Sequence, residues 1–297
     1  MSHRAGFVNI LGKPNVGKST LMNALMGERL SIITAKAQTT RHRILGIFND
    51  ENHQIIFSDT PGIIDPQYKL QEKMMAQVQE SLGDADVFLL VIDAADAKPI
   101  DKQGELYAQL IDKLKKTNTP LVIAINKVDL LTQDKVVVLG TALREMFPSA
   151  EIIGISALHQ FQTKELFDIL FKHIPEHPPY FDKEDISDRN LRFFTSEIIR
   201  EKILENYSQE IPYSVHVVIN SFKEEPTITR IQADILVERD SQKGIIIGKN
   251  GAALKKTGTD ARLALEKFLQ TKVFLEVFVK VKKDWRGDEK TLSSMGY

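Results

Sequence analysis

The octapeptide Gly12-Lys-Pro-Asn-Val-Gly-Lys-Ser19 matches the pattern G-x-x-x-x-G-K-[ST], the spacing at which a backbone loop can cradle phosphate oxygens. Bare glycines let successive N–H groups close on an anion, and a helix N-terminus directly behind them adds a positive field. Lys18 is then placed to reach the β- and γ-phosphates of a nucleotide and Ser19 to ligate Mg²⁺, with Gly12, Asn15, Val16, Gly17 and Thr20 completing the cradle. Asp59-Thr-Pro-Gly62 adds an acid that can hold the metal through water and a glycine N–H that can touch the terminal phosphate. Asn126-Lys-Val-Asp129 adds a base reader. The Asp129 carboxylate can accept from guanine N1 and N2 together, a donor pair that adenine lacks. Asn126 supports the loop or the base, Lys127 packs its stem along the ring, and Ser156-Ala157-Leu158 can present a backbone N–H to guanine O6.

Such residues work only at the ends of strands, where open α/β sheets collect their ligand contacts. Strand-like runs lie at 7–11, 43–48, 54–59, 87–92, 121–126 and 151–155, with helix-length stretches near 18–26, 69–81, 102–116, 134–146 and 163–173. Near-continuous apolar strands alternating with amphipathic helices predict an α/β domain with a mainly parallel sheet covered on both faces. The short polar turn at 49–53 makes the second and third strands an antiparallel hairpin, so the sheet is mixed. Residues 175–190 carry three prolines and clustered acids, a linker composition. Beyond it the order is α-β-β-α-α-β: a helix near 191–206, strands near 214–222 and 228–238, a glycine loop, a helix around 252–269 and a last strand at 273–281.

That second glycine loop, GIIIGKNG at 244–251, fails as another phosphate cradle of the first kind. Its spacing is one residue short, Asn250 stands where a Ser or Thr should be, and no strand precedes it. It fits G-x-x-G, Gly248-Lys249-Asn250-Gly251, between two helices. That is the KH arrangement, in which bare glycines admit about four nucleotides of single-stranded backbone. Ile245 to Ile247 would wall the bases. Lys249, Lys255, Lys256, Lys280, Lys282, Lys283 and Arg286 would meet phosphates, and Trp285, the only tryptophan, would stack on a base.

Net charge supports this division. The whole chain carries −1, but residues 243–286 hold 11 Lys/Arg against 4 Asp/Glu, a local +7 that leaves −8 elsewhere. A basic segment on an acidic chain points to a polyanion-binding face. With no cysteine, disulfides and thiolate metal sites are excluded and a reducing, intracellular setting is expected. No secretory signal opens the chain, and its longest apolar runs are strand-length.

In this order GKPNVGKS, QTTRH at 38–42, DTPG, NKVD and SAL resemble the five motifs of the translation-factor-like P-loop GTPases. The resemblance implies that QTTRH is the first switch, with Thr40 as the Mg²⁺ ligand and Thr39 the alternative. Lys18, Thr40 and Gly62 would then act on the γ-phosphate, with Ser19, Thr40 and Asp59 holding the metal. Where other GTPases carry a water-orienting glutamine after the DxxG glycine, this chain has Ile63 and Ile64, which predicts slow unaided hydrolysis. Related GTPases reading PNVGKS often use this asparagine to hold K⁺ beside the phosphates, so the resemblance offers Asn15 as a K⁺ ligand.

One family, the Era-type GTPases, joins such a G domain to a single C-terminal KH domain. The resemblance spans essentially the whole chain, including QTTRHRILG, and departs from the family at Ala37, where a proline is usual. It implies a P-loop GTPase domain over 1–174, a linker at 175–190 and an α+β type II KH domain with a basic tail over 191–297. It further implies a monomeric, cytoplasmic bacterial protein that binds GTP or GDP with Mg²⁺ and recognises 16S rRNA near its 3′ end. Such a protein would act on the assembling 30S subunit and associate loosely with the inner face of the membrane. Its nucleotide state would govern RNA binding, relayed through the linker.

Overall fold

The structure is a computed structural model and describes residues 3–96 and 104–297. The chain divides into two units. The first comprises Met1–Ser31, Thr40–Gln67 and Gln71–Asp188; the second comprises Arg189–Tyr297 together with two pieces of earlier chain, Ile32–Thr39 and Tyr68–Leu70.

In the first unit the elements run β1 (Arg4–Leu11), α1 (Lys18–Met26), β2 (Ile44–Asn49), β3 (His53–Asp59), α2 (Lys69–Ser81), β4 (Val87–Asp93), α3 (Glu105–Lys115), β5 (Leu121–Asn126), α4 (Gln133–Met146), β6 (Glu151–Gly154) and α5 (Thr163–His173). The expected start of α3 near 102 lies outside the described residues. Six strands form one sheet in the order β2-β3-β1-β4-β5-β6, parallel except for the β2–β3 hairpin. Strands β4 (VFLLVID) and β5 (LVIAIN) are apolar almost throughout because both faces of a parallel sheet are covered. Their C-terminal ends, with those of β1 and β3, are where Gly12, Asp59, Asp93 and Asn126 emerge.

The proline-rich stretch after α5 departs from the linker expectation. Residues 175–188 cluster with the first unit and run along the free edge of β2. Ile47 N–H donates to Ile186 O at 3.0 Å, Leu45 N–H to the Asp188 carboxylate at 3.0 Å, and Ser187 Oγ to Leu45 O at 2.6 Å. An edge strand exposes unpaired backbone groups, and this segment satisfies them.

The second unit contains α6 (Leu191–Asn206), α7 (Ile211–Ser214), β7 (His216–Glu225), β8 (Ile228–Val237), α8 (Asp240–Ile247), α9 (Ala252–Leu269), β9 (Lys272–Val281) and α10 (Glu289–Ser294). Asn190 caps α6 by accepting from Phe193 N–H at 3.0 Å, worth about 1 kcal/mol. The three-stranded sheet has β8 central, antiparallel to β7 and parallel to β9. Its inner face joins α6, α8 and α9 in one core of Ile199, Ile203, Ile231, Ile235, Ile246 and Leu265.

Segment 32–39 is fastened to α6. Ile33 N–H donates to the Glu201 carboxylate at 3.1 Å, and Lys36 Nζ to the Leu204 and Tyr207 carbonyls that end the helix. Buried Arg200, paired with Glu197, donates to Thr39 O. A lysine on the last carbonyls of a helix meets both their unsatisfied acceptors and the negative end of the dipole.

Trp285 corrects a sequence expectation. Its ring is fully buried, its Nε1–H donates to Ser214 O at 3.1 Å, and His216 packs against it at 5.6 Å. It anchors the C-terminal tail and offers no face to a base. Trp285→Ala should therefore lower the stability of this unit by about 3–5 kcal/mol, seen as a lower thermal transition. A stacking tryptophan would instead lose RNA affinity at unchanged stability.

Candidate functional site

Two glycines shape the loop between β1 and α1. At Gly12 (φ 147°) a Cβ would stand 2.5 Å from Val91 O, and at Gly17 (φ 98°) it would stand 2.2 Å from Asn126 Nδ2. No side chain fits either place, so the loop closes tightly under β4 and β5. Asn126 then ties the site together: its amide donates to Val16 O at 2.8 Å, and its carbonyl accepts from Ala157 N–H at 2.9 Å. The sequence left Asn126 a choice between loop and base; here it holds the loop to the SAL turn.

Lys18 Nζ donates to Gly12 O at 3.0 Å and Lys13 O at 2.7 Å, across the cradle it belongs to. Burial pulls its ammonium down to about 8, partly offset by the Asp59 carboxylate. A polyphosphate would restore the charge, so binding above that pH takes up a proton at Lys18. Nucleotide affinity should then fall with rising pH, by up to about tenfold per unit. Calorimetry in buffers of different ionisation enthalpy, a pH unit above that value, should detect the uptake. Lys18→Arg, which cannot deprotonate there, should show none.

Ser19 Oγ donates to Asp59 Oδ2 at 2.7 Å and lies 2.8 Å from Thr40 Oγ1. Ser31 Oγ donates to the same Asp59 oxygen at 2.8 Å. Thr39 Oγ1 instead bonds Thr34 Oγ1 and Lys36 O, so Thr40 is the threonine delivered to this cluster. Asp59 is fully buried, and burial pushes its carboxyl up, opposed by Ser19, Lys18, Ser31 and Thr40. Its second oxygen, Oδ1, is buried with no hydrogen-bond partner. Two hydroxyls and an under-satisfied carboxylate beside a phosphate loop fit Mg²⁺, which takes few protein ligands and leaves the rest to water and phosphate. Ser31, absent from the sequence expectation, joins this set only through the tertiary fold.

Gly62 packs on the loop so closely that a Cβ would lie 2.6 Å from Pro14 N. Ile63 N–H donates to Gly12 O at 3.2 Å, and its side chain is buried in an apolar pocket with Met75, Val78, Leu82, Leu106 and Leu110. Its hydrocarbon side chain has no group with which to hydrogen-bond a water.

Beyond the loop, Lys127 adopts φ 65° and its ammonium binds Asp93 Oδ2 at 2.6 Å and Asn15 O at 2.8 Å. Asp129 follows in a 3₁₀ turn, Val128–Leu130, with His159 Nε2 3.8 Å from its carboxylate. Ala157 is buried with its N–H on Asn126, Ser156 pairs its backbone with Phe161, and Leu158 is exposed. Asn15, exposed at φ 64°, stands at the loop's outer turn, and Val16 is buried beneath it. Thr20 sits one residue into α1 past Ser19.

In the second unit Gly248 (φ 69°, ψ 179°) ends α8 and Gly251 (φ 76°) opens α9, with Asn250 also left-handed at φ 52°. A Cβ on Gly248 would meet Ala253 Cβ at 2.6 Å, whereas Gly251 faces open space. Lys249, Asn250, Lys255, Lys282 and Lys283 are exposed, and Ile245 and Ile247 remain accessible while Ile246 enters the core. Lys256 is exposed and engaged with Asp260 and Asn206. Two expected phosphate ligands are not brought here. Lys280 leaves the sheet face opposite the helices and pairs with Asp234 at 2.6 Å. Arg286 is spent on Glu238 and Tyr213 O, with its guanidinium 4.9 Å over the Tyr68 ring.

Comparison with known proteins agrees with both halves. The family model described as 50S ribosome-binding GTPase matches residues 7–127, and a KH domain model matches 210–286. The GTPase Era of Syntrophus aciditrophicus is 46% identical over 297 residues, covering 99% of this chain and 95% of its own. That of Clostridium kluyveri is 45% identical over 295 residues and 99% of both chains. Among solved structures, Era in complex with MgGDPNP and nucleotides 1506–1542 of 16S ribosomal RNA superposes with TM-score 0.92 at 39% identity over 99% of each chain. Aquifex aeolicus Era bound to GDP and aluminium fluoride does so with TM-score 0.92 at 40% identity over the same share. With its phosphate-loop motifs assembled on one sheet and a KH fold following in the chain, this chain belongs to the Era family of GTPases.

Proposed function

We propose that this protein is a GTP-hydrolysing switch that binds 16S rRNA near its 3′ end through its KH unit and acts in assembly of the small ribosomal subunit. In this reading nucleotide state sets RNA affinity. One observation carries it: the first switch is split between the two units at a single peptide bond. Thr40 Oγ1 reaches the Ser19–Asp59 cluster in the first unit, while the carbonyl of Thr39 is held by Arg200 of α6 in the second. Drawing Thr40 toward a nucleotide-bound metal pulls on a segment fastened to the KH fold. The relay therefore runs through 32–39 rather than through 175–190, which is bound along β2.

In hydrolysis, water attacks the γ-phosphorus in line, breaking its bond to the β–γ bridging oxygen and releasing phosphate and GDP. Lys18 and the loop N–H groups hold the phosphate chain, and the Gly62 N–H is the donor for the γ-oxygens. Ser19, Thr40 and Asp59 would hold Mg²⁺, whose charge on the β- and γ-oxygens is the chemistry it supplies when bound. With Ile63 in its apolar pocket, no side chain follows Gly62 to orient the water, so unaided turnover is slow. Asn15, at the loop's outer turn, would hold K⁺ beside the phosphates: turnover should be faster in K⁺ than in Na⁺, and Asn15→Ala should remove the difference.

The deciding experiment measures RNA affinity with a non-hydrolysable GTP analogue and with GDP at fixed salt, and turnover with and without small subunits. Different affinities and stimulated turnover are expected. Equal affinities would overturn the switch, and unstimulated turnover would leave a GTP-binding RNA scaffold. Loose membrane association rests on the family resemblance alone; no helix among the described residues is long and apolar enough to cross a membrane.

A further inference from the structure

The KH sheet has a second face. Along β9 the side chains alternate, with Val273, Leu275, Val277 and Val279 turned to the helices and Lys272, Phe274, Glu276, Phe278 and Lys280 turned out. Phe274 and Phe278 are each 45% exposed. The parallel register puts Arg230 beside Phe274, Gln232 beside Glu276 and Asp234 beside Phe278, with Lys223, Ser221 and Val218 of β7 continuing the same rows. The Arg230 guanidinium lies 5.4 Å over the Phe274 ring. The tail closes only one end of this face, where Trp285 and Tyr297 pack on His216.

Large apolar rings on an exposed strand are an aggregation hazard unless something covers them. The chemistry around these two favours bases. Every base has a π-face that stacks on an aromatic ring whatever its identity, and RNA-binding sheets use this device. Four cations share the face, Lys223, Arg230, Lys272 and Lys280, against three acids: Glu225 and Asp234, paired with Arg230 and Lys280, and Glu276, exposed between the two rings along β9. Lys282 and Lys283 extend the positive charge directly past the strand. Gln232 and Ser221 add hydrogen-bonding groups between the rings.

A G-x-x-G loop clamps about four nucleotides, whereas the RNA bound by the solved relative runs from 1506 to 1542. An RNA of that length offers many bases beyond those the loop can hold. We propose that the outward face of β8 and β9 is a second platform for single-stranded RNA. Phe274 and Phe278 stack unpaired bases there, and Lys272, Arg230 and Lys280 meet phosphates. This rests on the RNA-binding reading above.

The test uses the full chain with a GTP analogue at fixed salt and two probes: RNA of nucleotides 1506–1542, and the tightest-binding of the roughly six-nucleotide strands that tile it. Phe274→Ser with Phe278→Ser should weaken the long RNA by about ten- to a hundredfold and leave the short one unchanged. Phe274→Leu with Phe278→Leu, apolar but without a ring, should lose as much, and the Tyr pair should retain affinity. Unchanged long-RNA affinity in the Ser pair overturns the platform, as does equal loss for both probes. Wild-type self-association that the Ser pair abolishes, with no change in RNA affinity, would instead assign the face to a second copy. If the wild type binds neither probe, the RNA reading itself fails; if it binds both and only the Phe variants are silent, the platform alone is wrong.

Discussion

Asp129→Asn should turn this GTPase into one that prefers xanthosine nucleotides. The Asp129 carboxylate offers two acceptors to guanine N1–H and N2–H₂, and an asparagine amide replaces one acceptor with a donor. Facing guanine, that N–H meets another N–H across a desolvated contact. Facing xanthine, which carries an oxygen at C2, the same N–H is paired again. A site built to hydrogen-bond one pattern rejects the wrong one by on the order of 10⁴-fold. The fold should be untouched, because Asp129 is partly exposed in a 3₁₀ turn and its carboxylate lies as far as 3.8 Å from His159 Nε2. Competition between GTP and XTP for the variant is the measurement. Retained tight GTP binding would show that Asp129 does not read the base.

Lys249→Asp combined with Asn250→Asp should abolish RNA binding and leave guanine-nucleotide binding at the wild-type level. The geometry decides which loop positions make a clean test. Gly248 is a poor choice, since any Cβ lands 2.6 Å from Ala253 and the KH fold itself would shift. Gly251 has room but sits at φ 76°, where a side chain strains the backbone. Lys249 and Asn250 are exposed, and Asp tolerates the left-handed conformation that Asn250 adopts at φ 52°. Reversing one charge and adding another against a phosphate backbone should cost at least about a hundredfold in affinity and flatten its salt dependence. Filter binding across a salt series reads both quantities, with guanine-nucleotide affinity as the control for folding. Loss of RNA and nucleotide binding together would mean that the two glycine loops serve one site.

The phosphate-loop motifs were legible because each carries its chemical groups on contiguous residues. Gly12 to Ser19, Asp59 to Gly62 and Asn126 to Asp129 carry their own glycines, acids and hydroxyls, and the flanking apolar runs place them at strand ends. The KH loop was legible for the same reason. Trp285 and Arg286 were misread because their roles depend on distant partners. Ser214 O claims the indole, and Glu238 with the Tyr68 ring claims the guanidinium. Residues 175–188 read as a linker from their prolines and acids, yet the free edge of β2 supplied backbone groups that pair with them. Ser31 gave no signal, since a serine in a loop shows nothing of an aspartate 28 residues away.

The order of G domain and KH domain, an aspartate at 129 able to pair with guanine, and a hydrocarbon side chain at Ile63 are all present in the sequence alone. All three depend on which chemical groups exist at fixed short spacing, and no packing can supply a glutamine or a second acid that is not encoded. Only the tertiary structure decided between Thr39 and Thr40. The two hydroxyls are adjacent and chemically identical, and the choice came from what grips each side: Ser19 reaches Thr40, while Lys36 O, Thr34 and Arg200 hold Thr39. The grip of Arg200 on Thr39 leaves no local pattern, because the two lie 161 residues apart in the chain.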